Sequence, residues 1–236
     1  ELVLKLNEKL FNSIVNDDTL GFKCKRERRE VLVEEIVWPD VSIFHSVNKT
    51  DKEIEALFFS DLHLNKGFEE KYEKLLNYVR SLKKLKYVFI LGDVETSKVF
   101  EDIGREYKII FCRGDSDNEI KLPNYVTEVP DPCMVRIEGK IKVLITHGKF
   151  LEDYRRLFNV KHPIEVLINL LKRRHLNPKI DLTNSKGEDI FVLDEVPDIF
   201  ATGHFHQPGS RNYKGVTLIS CGSFLTDPTY YLVNLH

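Results

Sequence analysis

Five apolar, strand-like runs in this 236-residue chain each end in side chains able to hold a metal ion. "FFSDLH" closes on Asp61 and His63, and "FILGDVE" carries Asp93. "IIFCRGDSD" brings Asp115 and Asp117 around Ser116, "VLITHG" ends in His147, and "FATGHFH" ends in His204 and His206. Singly, each has an ordinary explanation: an Asp after Gly92 suits a turn, and a lone histidine is usually a satisfied structural group. Gathered at one edge, so many carboxylates and imidazoles would repel or stay unsatisfied without a cation among them. The donors are oxygen and nitrogen only. That suits manganese, iron, zinc or nickel, argues against a thiolate-bound structural zinc, and favours two adjacent metals over one.

For these residues to meet, the runs must be neighbouring strands with their carboxyl ends on one side, as in open α/β sheets. The pattern from residue 54 allows it. "EALFFSDLHL" reads as a strand, and "KYEKLLNYVRSLKKL" as a helix with Leu75, Leu76, Val79 and Leu82 on one face. "YVFILGD" is a second strand, "TSKVFEDIGREY" a short helix capped by Thr96 or Ser97, and "KIIFC" a third strand. Beyond residue 124, "CMVRIEG" and "KIKVLITHG" form a hairpin across "EGK", Pro163 opens the helix "PIEVLINLLKRRHL", and "DIFATGHFH", "GVTLISCG" and "TYYLVNL" are strands. The sum is a layered α/β sandwich rather than a purely parallel sheet. The two-residue spacing in Asp61/His63 and His204/His206 would aim both members of each pair the same way if strand geometry continued that far.

Residues 1–50 differ: a short helix over 1–15, the strand candidates "LGFKCKRE" and "EVLVEEIVWP", and the linker "SVNKTDKE". They are expected to be an N-terminal appendage to a main domain over 51–236. A formal net charge of −2 gives no global sign of nucleic-acid binding, although "KCKRERR" and "KRRH" are local basic clusters that mostly read as solvated faces. Four widely spaced cysteines with no C-x-x-C pair read as free, buried thiols in a reducing compartment. No run is apolar enough for a membrane helix, and "ELVLKLNEKL" lacks the plan of a secretory signal. A start on Glu1 instead of Met suggests a processed or excised piece of a longer chain.

"DLH", "GD", a G-[D/N]-x-D segment, "HG" and "GHFH", in that order, resemble the calcineurin-like metallophosphoesterases over residues 54–226. The wording around them, "HPIEVLINLLKRRHLNP", "VLDEVPDIFATGHFH" and "YKGVTLISCGSF", is similar to the small-subunit family of archaeal D-family DNA polymerases. The resemblance implies a four-layer calcineurin-like β-sandwich flanked by helices, with a shortened OB-like appendage in residues 1–50. It implies Asp61, His63, Asp93 and His206 as ligands of one metal, and Asp93 bridging to a second held by Asp115, His147 and His204. Two divalent ions, manganese first and iron, zinc, nickel or magnesium as alternatives, would then activate water against the 3′-terminal phosphodiester of DNA. The partners implied are a large catalytic polymerase subunit and a DNA 3′ end, in the cytoplasm near the nucleoid, with Lys149, Arg173 and Arg174 as candidate phosphate contacts.

One segment departs from the family pattern. Where the family has G-N-H-[D/E], this chain has Gly114, Asp115, Ser116 and Asp117. Asp115 can still supply an oxygen, but the Ser116 hydroxyl cannot replace an imidazole as general acid, and losing such a group costs on the order of 100- to 10,000-fold in rate. Asp93, Ser116 and Asp117 are therefore the residues expected to decide catalysis. A similar G-D-x-D segment occurs in the calcineurin-like subunit of the retromer coat, which works as a scaffold. The expectations are a weakened 3′-5′ exonuclease, the same subunit kept as a scaffold, or a stand-alone phosphodiesterase.

Overall fold

The strand-forming residues of the main unit are aromatic and β-branched runs buried on both faces, as parallel strands covered on each side require. In the computed structural model these are β4 (Glu55–Phe59), β5 (Leu85–Ile90) and β6 (Lys108–Cys112). They are joined by α2 (Glu69–Ser81) and α3 (Lys98–Ile103) and continued by β7 (Val126–Val129). All pair in parallel, and β13 (Tyr231–Asn234) closes the other edge antiparallel, giving the order β13-β4-β5-β6-β7. The second sheet runs β11 (Gly209–Tyr213), β12 (Val216–Ser220), β10 (Ile199–Thr202), β9 (Ile141–Thr146), β8 (Cys133–Ile137). Its β9, β10 and β12 are parallel. Strands β7 and β11, and helix α4 (Leu151–Leu157), lie in stretches that the sequence pattern left without an element.

Alternation along the first sheet divides its side chains between two cores. Ala56, Phe58, Tyr87, Phe89 and Ile110 pack with Val143, Ile145, Ala201 and Ile219 of the second sheet. Leu57, Phe59, Val88, Ile90 and Phe111 face Leu75, Leu76 and Val79 of α2 and Val99, Phe100 and Ile103 of α3. The α2 contacts repeat at helical spacing from Tyr72, which is why that segment is a helix. Helix α2 stops at Ser81, so Leu82 lies just beyond it. The result is the expected helix-flanked β-sandwich.

Residues 3–15, 18–27, 30–64, 69–177, 189, 191–225 and 228–236 are described. They divide into two compact units, 1–45 with 166–196, and 46–165 with 197–236. One division falls between 45 and 46, near the boundary expected at residue 50, and the segment Val166–Val196 groups with the first unit. Within that unit, β1 (Leu4–Lys5), β3 (Glu30–Val37) and β2 (Gly21–Glu27) form a three-stranded sheet. The helix expected over 1–15 is limited to α1 (Glu8–Phe11). Arg28 and Arg29 of the first basic cluster lie outside the described residues. Helix α5 (Pro163–Arg173) begins on its proline as read from sequence. Of the cysteines, Cys112 and Cys221 are buried and Cys133 partly so, while Cys24 is exposed on β2, against the expectation of a buried thiol. Among the described residues no helix is long and apolar enough to cross a membrane.

Candidate metal centre

Because β4, β5 and β6 are parallel neighbours, and β9 and β10 likewise, their carboxyl ends fall along one rim of the sandwich. The loops leaving them carry all seven candidate ligands. Strand geometry does not continue into these loops. Asp61 (φ 52°), His63 (φ 46°), Asp93 (φ 54°), His204 (φ 65°) and His206 (φ 54°) all lie in the left-handed region. The D-x-H and H-x-H pairs therefore converge through successive left-handed kinks, not by extended alternation. Such conformations cost on the order of 1–3 kcal/mol each in non-glycine residues and persist only where surrounding contacts impose them. Here those contacts are backbone bonds: Asp61 N–H to the Gly92 carbonyl at 2.9 Å, and His63 N–H to that of Asp93 at 3.0 Å. Gly92 (φ 88°) admits no side chain, since a Cβ would stand 2.5 Å from the Gly114 nitrogen and 2.6 Å from His147 Nδ1.

The ligand atoms of Asp61, His63 and His206 lie within 4.8 Å of one another, as do those of Asp115, His147 and His204. A third group, Asp61, Asp93 and His147, meets the same limit and links the other two. His63 Nε2 is 3.9 Å from both Asp61 Oδ1 and Asp93 Oδ2, and is a buried polar atom with no hydrogen-bond partner among the described residues. His147 donates Nδ1–H to the Leu91 carbonyl at 2.8 Å, which leaves its Nε2 lone pair 3.8 Å from Asp93 Oδ2 and 3.3 Å from His204 Nδ1. Burial and the neighbouring His147 hold the His204 imidazole below its ordinary pKa, keeping it neutral and able to act as a donor atom. His206 Nε2 likewise lies 3.2 Å from Asp61 Oδ1, and imidazole nitrogens and carboxylate oxygens gathered this closely fit a divalent cation with nitrogen and oxygen donors. The seven residues that the sequence suggested as ligands, Asp61, His63, Asp93, Asp115, His147, His204 and His206, all fall within these three groups.

Not every predicted site residue belongs to this cluster. Asp117, expected to be catalytic, is fully buried and has both oxygens occupied by backbone N–H groups. Oδ2 accepts from Asp93 at 2.7 Å and Gly114 at 2.8 Å, and Oδ1 from Val94 and Glu95 at 3.0 Å each. It fastens the loop after β5 to the loop after β6 and has no oxygen left for a metal or a substrate. Ser116 is exposed, and its N–H donates to Asp93 Oδ1 at 2.9 Å. It lines an open cavity of about 610 Å³ with Thr96, Ser97, Asn118 and Lys121. Lys149 is exposed and paired with Asp115 at 2.9 Å, which raises its pKa.

The two arginines proposed as phosphate contacts are turned into their own unit. Arg173 is 5% exposed, pairs with Asp18 at 3.1 Å, donates to the Ser13 carbonyl at 2.7 Å and lies 4.3 Å from the Trp38 ring centroid. Arg174 donates to the carbonyls of Leu193 and Asp194. Arg173 ends the amphipathic helix α5 and Arg174 follows it in a left-handed turn at φ 57°, and neither place marks this inward orientation in the sequence.

The residues that support the ligands went unnoticed in the sequence. Glu95 Oε1 lies 2.7 Å from His63 Nδ1. Ser60 Oγ donates to Asp61, whose Oδ2 also takes His204 N–H at 2.9 Å. Asp131 accepts from Thr146 Oγ1 at 2.5 Å and from His147 N–H at 3.2 Å, with its pKa pushed up by burial. Carboxylates in "GDVE" and "VPDP" carry no local signal for such roles.

The family model for the calcineurin-like phosphoesterase superfamily domain matches residues 54–235. The DNA polymerase II small subunit of Archaeoglobus fulgidus is 29% identical, covering 92% of this chain and 56% of that protein. The corresponding subunit of Methanothermobacter thermautotrophicus is 27% identical, over 92% and 57%. This chain therefore spans a little over half the length of these relatives. Among solved structures, an archaeal phosphodiesterase is 18% identical with a TM-score of 0.49, over 77% of this chain and 93% of that one. Vps29 of Chaetomium thermophilum is 17% identical with a TM-score of 0.48, over 78% and 83%.

Proposed function

Since the chain belongs to the calcineurin-like phosphoesterase superfamily, we propose that it is the small subunit of an archaeal replicative DNA polymerase and carries a metal-dependent 3′-5′ exonuclease site of low rate. The observation that carries the reading is the pair of three-residue groups, Asp61/His63/His206 and Asp115/His147/His204, linked through the third group Asp61/Asp93/His147. Two divalent ions held there, manganese foremost, would polarise the phosphodiester and lower the pKa of water. The likeness to DNA polymerase II small subunits supports DNA as the substrate, a large catalytic subunit as partner and a cytoplasmic setting.

The chain's own groups divide the remaining tasks. Asp93 is held in place by the Ser116 N–H and by Asp117 on its backbone. His147 is oriented by its Nδ1–H bond to the Leu91 carbonyl, and burial beside it holds the His204 imidazole below its ordinary pKa. Lys149, at the exposed side of Asp115, is the cation available to a phosphate oxygen. Hydrolysis adds the water oxygen to phosphorus, breaks the P–O3′ bond, and leaves a nucleoside 5′-monophosphate. The departing 3′ oxygen needs a proton. Ser116 stands where the family places an imidazole and its hydroxyl titrates far above neutral pH, so that proton comes from solvent and the step is slow.

The same serine favours a second reading, in which the site is retained for its structure and the subunit serves to hold the large one. A 5′-labelled single-stranded oligonucleotide with Mn²⁺ separates the two. Exonuclease activity lost in Asp93→Ala and raised roughly 100-fold or more in Ser116→His supports the enzyme. Equal inactivity of wild type and Asp93→Ala removes it and leaves the scaffold.

A further inference from the structure

The loop after β5 holds a second carboxylate besides Asp93, and its geometry has a use that the ligand set leaves unassigned. Glu95 sits at φ 66°, in the left-handed region. That backbone is imposed by Asp117, whose fully buried carboxylate accepts the Glu95 N–H at 3.0 Å. The consequence is that Glu95 Oε1 lies 2.7 Å from His63 Nδ1, with the two side chains only 11% and 6% exposed. On the opposite side of the ring, Nε2 is buried, without a hydrogen-bond partner among the described residues, between Asp61 and Asp93 at 3.9 Å. An imidazole has two ring nitrogens, and the bond made by one settles which lone pair the other offers.

We propose that Glu95 is a positioning residue: it accepts the His63 Nδ1–H and so locks the ring in the tautomer whose Nε2 lone pair faces a divalent metal ion between Asp61 and Asp93. This rests on the metal-site reading above and names the residue that preforms one of its positions. A histidine left to rotate would divide its time between tautomers and ring flips, and each binding event would have to select the competent one. Carboxylate support of a ligating histidine is worth about 10- to 100-fold in metal affinity. Asp117 takes part indirectly, because the strained Glu95 backbone depends on it.

The test is Mn²⁺ titration, by calorimetry and by electron paramagnetic resonance, of the full chain and its Glu95→Ala, Glu95→Gln, His63→Ala and doubly substituted forms. Glu95→Ala is expected to lose about 10- to 100-fold in Mn²⁺ affinity, and Glu95→Gln, whose amide oxygen can still accept Nδ1–H, to recover most of it. In the His63→Ala background, Glu95→Ala should cost nothing further, since the effect passes through the ring. Unchanged affinity in Glu95→Ala, or the same loss with and without His63, would overturn the proposal. A second measurement needs neither metal nor turnover: long-range ¹H–¹⁵N spectra of the metal-free protein should show His63 protonated on Nδ1 in wild type and mixed in Glu95→Ala. Protonation of the wild-type ring on Nε2 alone sinks the positioning role whatever the nuclease assay shows. Failure of wild type to bind Mn²⁺, with the Nδ1–H tautomer intact, would instead sink the metal reading on which it rests.

Discussion

Two acids two residues apart, Asp115 and Asp117, look alike in the sequence and should respond oppositely to the same substitution. In Asp117→Asn the amide oxygen can keep the Asp93 and Gly114 N–H groups or the Val94 and Glu95 pair, never both. The amide nitrogen then faces two buried donors. Hydrogen bonds to a charged group are worth about 1.5–3 kcal/mol each, so losing two destabilises the protein by about 3–6 kcal/mol. That is a large fraction of the roughly 5–15 kcal/mol that holds a domain folded. At about 2–4 °C per kcal/mol for a chain of this size, the melting temperature should fall by at least about 6 °C. Asp115→Asn loses an exposed ion pair with Lys149 and a longer 3.7 Å approach to His204 Nδ1, and should shift stability by less than about 0.5 kcal/mol. Calorimetric melts of the metal-free proteins measure both. A fall of under about 2 °C in Asp117→Asn, or equal effects of the two variants, would refute the assignment of Asp117 as the fastener between the β5 and β6 loops.

Other substitutions test the frame around the site. Gly92→Ala forces an alanine to φ 88° and drives its Cβ into the Gly114 backbone and His147, so urea denaturation should show a loss of about 2–6 kcal/mol; a change within 0.5 kcal/mol would contradict the close packing. Away from the site, hydrogen bonds from Lys86, Tyr87 and Lys52 lower the pKa of Glu138 from 4.5 to about 2. Because the folded state favours the carboxylate, its contribution is complete above about pH 4.5 and is lost as pH falls through the folded value near 2. Glu138→Gln should therefore cost about 1–2 kcal/mol at pH 6, after allowance for solvent screening of the exposed Lys52, and almost nothing at pH 2. A pH-independent difference would show that the ion pairs are not its source.

Much of this protein was legible in its sequence, for a physical reason. Buried parallel strands need continuous apolar runs, so their ends are marked wherever such a run breaks into Asp or His, and a shared rim follows from parallel pairing alone. The seven ligand candidates, the helix-flanked sandwich and the Pro163 start of α5 all depend on such local signals. The positions that the sequence could not settle depend on partners far along the chain or on orientation. Asp117 belongs to the backbone and not to a metal because its carboxylate meets amides 22 to 24 residues earlier. Arg173 turns inward because Asp18 and Ser13, some 160 residues away, wait beneath it. The convergence of Asp61 with His63, and of His204 with His206, comes from left-handed kinks that no side-chain pattern encodes. Residue type fixes what chemistry a group can do; which groups meet, and which nitrogen of His63 is left to offer, is decided only by the tertiary hydrogen bonds that hold each backbone and ring in place.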